Sequence, residues 1–117
     1  MNKRKVGGIY EGLACDYLRD KGYEILERNY FTRRGELDII AREGETTVFV
    51  EVKYRSSIAN GEPYEAVTPT KLMHLMKAAE YYLISHGGME RRARFDVVSI
   101  LKTPAGYEIK HLKNVTG

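Results

Sequence analysis

The stretch 46–54, Thr-Thr-Val-Phe-Val-Glu-Val-Lys-Tyr, constrains the fold more than any other part of this chain of 117 residues. β-Branched and aromatic side chains dominate it, and these favour an extended, pleated backbone. Successive side chains of a strand point to opposite faces, so Val48, Val50 and Val52 share one face and Phe49, Glu51 and Lys53 the other. A strongly apolar strand therefore carries a carboxylate and an ammonium on one side. Upstream, 36–41 reads as another strand, opened by Gly35, in which Asp38 is a lone acid beside Leu37, Ile39, Ile40 and Ala41. The short Glu43-Gly44-Glu45 turn makes the two strands an antiparallel hairpin, which brings Asp38 close to the level of Glu51 and Lys53.

The remaining elements follow from periodicity. Apolar residues at 6, 9, 10, 13, 14, 17 and 18 form a helical stripe, and Gly22 supplies its stop. Tyr23 to Ile25 reads as a short strand start, followed by a polar stretch through Arg28 and Asn29. Ser56, Ser57, Asn60, Gly61 and Pro63 mark 55–66 as a mobile loop, a natural lid or substrate clamp after a functional strand. A second helix begins with Thr68 as N-cap and Pro69 in its first turn, and Leu72, Leu75, Met76, Ala79 and Leu83 form its stripe. Gly87-Gly88 ends it. Residues 94–101 form the next strand, Thr103–Gly106 a turn, and 107–112 a final edge strand. The order αβββαββ predicts one α/β domain over residues 1–117. Its mixed sheet is flanked by helices, with a parallel crossover through the second helix.

Charge and cysteine content narrow the class. The net charge is +3 and the pI about 9.0, which favours a polyanionic partner. Basic residues cluster at Lys3-Arg4-Lys5, Arg33-Arg34, Lys53 with Arg55, and Arg91-Arg92 with Arg94. Each cluster alone reads as a solvated loop end, but two of them flank the acidic motif. The single cysteine, Cys15, cannot make an internal disulfide and suits a reducing compartment. No apolar run is long enough to span a bilayer, so the expected location is the cytoplasm, away from membranes.

Two carboxylates brought together repel unless one is protonated or a cation is bound. Oxygen ligands of this kind suit Mg²⁺, which keeps several waters and binds one or two carboxylates plus a phosphate. A neighbouring lysine can orient an attacking water or stabilise charge developing on phosphorus. Asp38, Glu51 and Lys53 thus contain the minimum set of groups for hydrolysing a phosphodiester. The plainer alternative is that Glu51 and Lys53 alternate on a solvent face, as such pairs do on many strands.

The strings Gly35-Glu36-Leu37-Asp38-Ile39-Ile40-Ala41 and Val48-Phe49-Val50-Glu51-Val52-Lys53-Tyr54-Arg55 resemble the D-x(n)-E-x-K core of the restriction-endonuclease-like PD-(D/E)xK superfamily. More closely, the chain resembles the small bacterial YraN family. Further matches lie at Gly8-Ile9-Tyr10-Glu11, Ala14, Tyr17-Leu18, 25–29, Glu65-Ala66-Val67, Lys71 and Arg94-Phe95-Asp96-Val97-Val98. The resemblance implies a restriction-endonuclease-like fold, Mg²⁺ or Mn²⁺ as cofactor, and catalysis by Asp38, Glu51 and Lys53. By similarity to Holliday-junction resolvases it implies that Glu11 joins Asp38 and Glu51 at the metal, with Glu36 standing behind them. It also implies DNA, branched or otherwise structured, as substrate in preference to RNA. A resolvase-like role implies a homodimer, because symmetric cutting of two strands needs two sites. The proline that the superfamily carries before its acid is replaced here by Leu37.

Arg34, Arg55 and Lys71 are the expected nucleic-acid contacts, each with an ordinary surface charge as its alternative. Asp96 reads as a cap or ion-pair partner of Arg94, His74 as a solvated helix residue, and Tyr10, Tyr17, Tyr81 and Tyr82 as core packing. Two further functions stay open at this stage. One is a non-catalytic nucleic-acid-binding accessory protein that keeps the fold, and the other a structural subunit whose acids pair with Lys53 and Arg55.

Overall fold

The computed structural model describes residues 3–88 and 92–116, with the backbone alone for 3–7; the expected basic side chains of Lys3-Arg4-Lys5 and Arg91 lie outside the described set. Helix α1 (Lys3–Asp20) leads into β1 (Glu24–Thr32), β2 (Gly35–Glu43) and β3 (Thr46–Arg55). A one-turn 3-10 helix (Pro63–Ala66) then precedes α2 (Pro69–Ser85), β4 (Arg92–Thr103) and β5 (Gly106–Leu112). The five strands form one sheet in sequence order. Neighbours pair antiparallel except β3 and β4, which run parallel from Thr46↔Arg92 to Arg55↔Leu101 because α2 carries the chain back between them. The expected mixed sheet, the parallel crossover and β5 as an edge strand are all present.

The central strand divides the core as its alternation predicts. Val48 and Val50 pack with Ile39, Ala41, Val98 and Ile100 beneath Ala14, Cys15 and Leu18 of α1. Phe49 turns to the other face, with Leu37 and Ile40, beneath Leu75, Ala78, Ala79 and Tyr82 of α2. Burial of the Phe49 ring alone contributes about 2–3 kcal/mol. The stripe of α2 is rotated from its expected direction, since Ala78 and Tyr82 are buried while Met76 is exposed. Tyr81 is also exposed, which corrects its expected place in the core. Among the described residues, no helix is long and apolar enough to cross a membrane.

Strand β1 is much longer than its expected start at 23–25. It is an edge strand, so its polar residues face outward without cost, and two irregularities blur its alternation. A register shift falls between Ile25 and Glu27, and Asn29 has a positive φ of 53°. Asparagine tolerates that left-handed conformation better than most residues.

The segment expected as a mobile loop is tethered. Arg55 donates to the carbonyls of Asn60 and Gly61, the Tyr64 N–H donates to Ser99 Oγ at 3.0 Å, and Lys110 Nζ pairs with Glu62 Oε1 at 3.0 Å. Gly61 sits at φ 99°, and a Cβ there would run into the Glu65 carboxylate. That carboxylate accepts the Glu62 N–H at 2.6 Å. Gly61→Ala should therefore lower stability by about 1–3 kcal/mol in urea unfolding, through left-handed strain and displacement of Glu65. A loss below a few tenths would show that the segment yields freely.

Candidate functional site

Pairing between β2 and β3 stops at Ile39↔Val50. Continued one step further, the register would set Asp38 opposite Glu51. Instead the strands part, and the Val52 N–H that faces the gap is taken by a side chain: it donates to Asp38 Oδ2 at 2.9 Å. The break also explains why Leu37 and Ile40 share the α2 side although strict alternation would separate them. Asp38 lies across from Asn29 in the β1–β2 register, so the irregular point of β1 borders the gap.

Carboxylates converge on this gap. Oxygens of Glu11 from α1 and of Glu36 and Asp38 from β2 lie within 4.8 Å of one another. Glu36 thus stands with Glu11 and Asp38 in one trio. Glu51 lies outside the trio, and its carboxylate acts on Asp38 across the gap. It is 6 % exposed, and its Oε1 is 3.2 Å from Lys53 Nζ. Its second oxygen, Oε2, is buried without a hydrogen-bond partner, and so is Glu11 Oε1. The narrow cleft between α2 and the sheet, walled by Leu72, Leu75 and Phe95, ends at Asp38 and Glu51.

The electrostatics follow from this crowding. Burial, the Glu51 charge and the hydrogen bond to Glu51 push the Asp38 carboxyl up to about 7, against the opposing pull of the Val52 N–H and Lys53. Glu11 is also raised, by burial first and by Asp38 and Glu36, while Arg28 and a hydrogen bond to Asn29 pull it down. Four acids against Lys53 and Arg28 leave excess negative charge, and two of their buried oxygens lack donors. A hard, oxygen-seeking cation such as Mg²⁺ or Mn²⁺ matches that donor set, because it would satisfy the bare oxygens and remove the repulsion.

The expected nucleic-acid contacts do not gather here. Arg55 is held by the carbonyls of the loop that follows it. Arg34 lines a separate surface cleft with Lys77, Glu80, Tyr81 and Ile84. Lys71 is half-exposed in the first turn of α2, and its N–H donates to the capping Thr68 Oγ1 at 3.2 Å. Two contributors were not foreseen: Asn29 and Arg28, which both act on Glu11. The sequence signals for them are the resemblance of 25–29 to the family and an asparagine, a residue that tolerates turns and left-handed backbone.

Asp96 is the other buried acid, on the opposite face of the sheet from Glu51. Arg94 meets both its oxygens at 2.9 and 3.0 Å, His111 Nε2 lies 2.8 Å from Oδ2, and the Asn114 N–H donates to Oδ1 at 3.0 Å. Arg94 also reaches Glu43 at 3.0 Å and the Tyr23 hydroxyl at 2.7 Å. All of Asp96's acceptor sites are used, so it is the ion-pair partner expected of it and leaves nothing for a ligand.

A five-stranded mixed sheet with two helices, split between its second and third strands and lined there with acids, defines a mixed α/β protein with a candidate cation-binding gap. The chain belongs to the family described as Uncharacterised protein family UPF0102, the YraN family, whose profile matches residues 10–100. That span includes Glu11, Glu36, Asp38, Glu51 and Lys53. Among its relatives, the UPF0102 protein of Syntrophomonas wolfei is 50 % identical over 111 residues, covering 95 % of this chain and 96 % of the relative. The UPF0102 protein of Alkaliphilus oremlandii is 48 % identical over 116 residues (97 % and 98 %), and that of Beutenbergia cavernae 46 % over 114 (97 % of each).

Proposed function

We propose that this protein is a metal-dependent nuclease of the restriction-endonuclease-like PD-(D/E)xK type, hydrolysing phosphodiester bonds in DNA, with branched or structured DNA as its substrate class and the cytoplasm as its place of work. One observation carries the reading: Asp38 and Glu51 face each other where β2 and β3 part, with Lys53 3.2 Å from Glu51 and unpartnered buried oxygens on Glu51 and Glu11. Asp38, Glu51 and Glu11 would hold Mg²⁺ or Mn²⁺, and Glu36 stands within reach of the same ion. When bound, such an ion supplies Lewis acidity toward a phosphate oxygen and makes water more acidic.

The chain's own groups do the rest. Val52 fixes Asp38 by its N–H, so this carboxylate is aimed by the backbone of the strand that also bears Glu51 and Lys53. Lys53 orients the attacking water and offsets the charge that grows on the phosphoryl oxygens. Asn29 and the Arg28 charge favour the ionised form of Glu11. One observation favours a reading without turnover, as a structural subunit or a nucleic-acid-binding accessory protein: Lys53 already pairs with Glu51, as in a closed ion network that needs no metal.

Calorimetric titration of Mn²⁺ into the wild type and into Asp38→Ala/Glu51→Ala separates the two. The nuclease reading expects binding that the double variant loses. It further expects Lys53→Ala to bind Mn²⁺ within a few-fold of wild type while its cleavage of branched DNA falls by about 10²-fold or more. A wild type that takes up no Mn²⁺, with or without duplex DNA present, would leave the reading without turnover in its place. Cleavage by Lys53→Ala at the wild-type rate would remove Lys53 from the chemistry.

A further inference from the structure

Helix α2 has two apolar sides. Leu75, Ala78, Ala79 and Tyr82 are buried against the sheet, while Met73, Met76, Tyr81 and Ile84 are large apolar side chains 46–61 % exposed. At about 100° per residue the second set lies within an arc of roughly 140°, centred opposite the buried one. Lys77 and Glu80 fall inside that arc, and neither forms an ion pair among the described residues. Met73, Lys77, Glu80 and Ile84 follow one another at spacings of four, three and four, the seam of a two-helix coiled coil. An exposed apolar stripe of this kind calls for a partner surface.

The order of residues along the stripe says which partner. Laid antiparallel against a copy of itself about a twofold axis between Ala78 and Ala79, the helix sets Met73 against the partner's Ile84. The same register sets Met76 against the partner's Tyr81 and Lys77 against the partner's Glu80. Apolar residues meet apolar ones at the ends, and opposite charges meet twice at the centre. Any other antiparallel register breaks one of these matches, and a parallel pairing would stack Lys77 on Lys77 and Glu80 on Glu80. Self-complementarity under a twofold is what an isologous dimer requires.

We propose that the outer face of α2 is a homodimer interface, two copies of the helix packing antiparallel through Met73, Met76, Lys77, Glu80, Tyr81 and Ile84. The proposal stands independently of the nuclease reading and supplies the dimer face that the sequence alone left unassigned. A seam of one 17-residue helix is at the small end of stable interfaces, so the dimer exchanges with monomer as concentration falls.

Sedimentation velocity on the full chain across a concentration series tests it, with thermal melts to confirm that each variant folds. The wild type should sediment as a monomer–dimer equilibrium and Ile84→Glu as a monomer. Lys77→Glu and Glu80→Lys should each weaken association by about tenfold or more, since each sets two like-charge pairs at the centre of the seam, and the double exchange Lys77→Glu/Glu80→Lys should recover most of the loss. A wild type that stays monomeric at every concentration would overturn the proposal and leave the face to a different protein. A dimer indifferent to Ile84→Glu, or a double exchange no better than the singles, would overturn it equally.

Discussion

Asp38→Asn should melt roughly 5–10 °C above the wild type at pH 8 in buffer free of divalent metal, a gain of about 1–3 kcal/mol. The asparagine oxygen can still accept the Val52 N–H, so the ladder contact is kept while the buried charge is removed. The sign comes from the carboxyl's position near 7, far above the usual carboxylate range and caused by burial and then by Glu51. The folded chain holds a proton there that the unfolded chain releases, so wild-type stability falls as pH rises between about 4 and 7. The variant does not titrate at this position, and its advantage should shrink to nothing below about pH 4. Mn²⁺ should then raise the melting temperature of the wild type and leave the variant unmoved, since a ligand stabilises only the state that binds it. A variant that melts below the wild type at pH 8 would mean that the Asp38 charge is satisfied by its neighbours and that no cation is needed.

The opposite sign holds on the other face of the sheet. Asp96→Ala should cost about 3–5 kcal/mol in chemical unfolding at pH 7, because it takes the buried carboxylate from His111 and from Arg94, which keeps Glu43 as its acid partner. Burial by itself would raise the Asp96 carboxyl, but hydrogen bonds from His111, Arg94 and the Asn114 N–H outweigh it and bring it to about 2. With the folded carboxyl below its unfolded value, the stabilisation is fully present above the usual carboxylate range. It is lost as pH falls from about 4 toward 2, an acid limb of about 2–3 kcal/mol. That limb should vanish in Asp96→Ala. A loss under about 1 kcal/mol at pH 7 would show that the network is not held as a unit. The two acids therefore bracket the stability profile: Asp38 lowers stability toward alkaline pH, and Asp96 sets its failure in acid.

What the sequence made legible was whatever depends on neighbours in the chain. The hairpin, the faces of β3 and the caps of α2 all follow from local alternation, turn residues and Thr68-Pro69. The role of Asp96 was legible because Arg94 is two residues away on the same strand face. Contacts between distant segments were not. The loop after Arg55 is pinned by Ser99 and Lys110, which nothing in 55–66 announces. Strand β1 was hidden because an edge strand with a register shift and a left-handed Asn29 does not alternate. The direction of α2 was ambiguous for a different reason, since a helix apolar on both sides offers two stripes and periodicity alone does not rank them. At the candidate site, the closeness of Glu36 to Glu11 and Asp38 depends on α1 reaching the gap, which is a tertiary fact. The proximity of Asp38 to Glu51 needed only the short turn between their strands.

The parting of β2 from β3 leaves the two edges of β3 unequally paired. Strand β3 is bound to β4 over its whole length, ten paired positions from Thr46 to Arg55, but to β2 over five. Glu51 and Lys53 therefore ride on a strand held by β4 along its whole length, whereas Asp38 and Glu36 stand on a stretch of β2 that is held by β1 alone. The Val52 N–H on Asp38 spans the opening. The backbone of β3 thus reaches back to β2 through the same carboxylate that lines the gap.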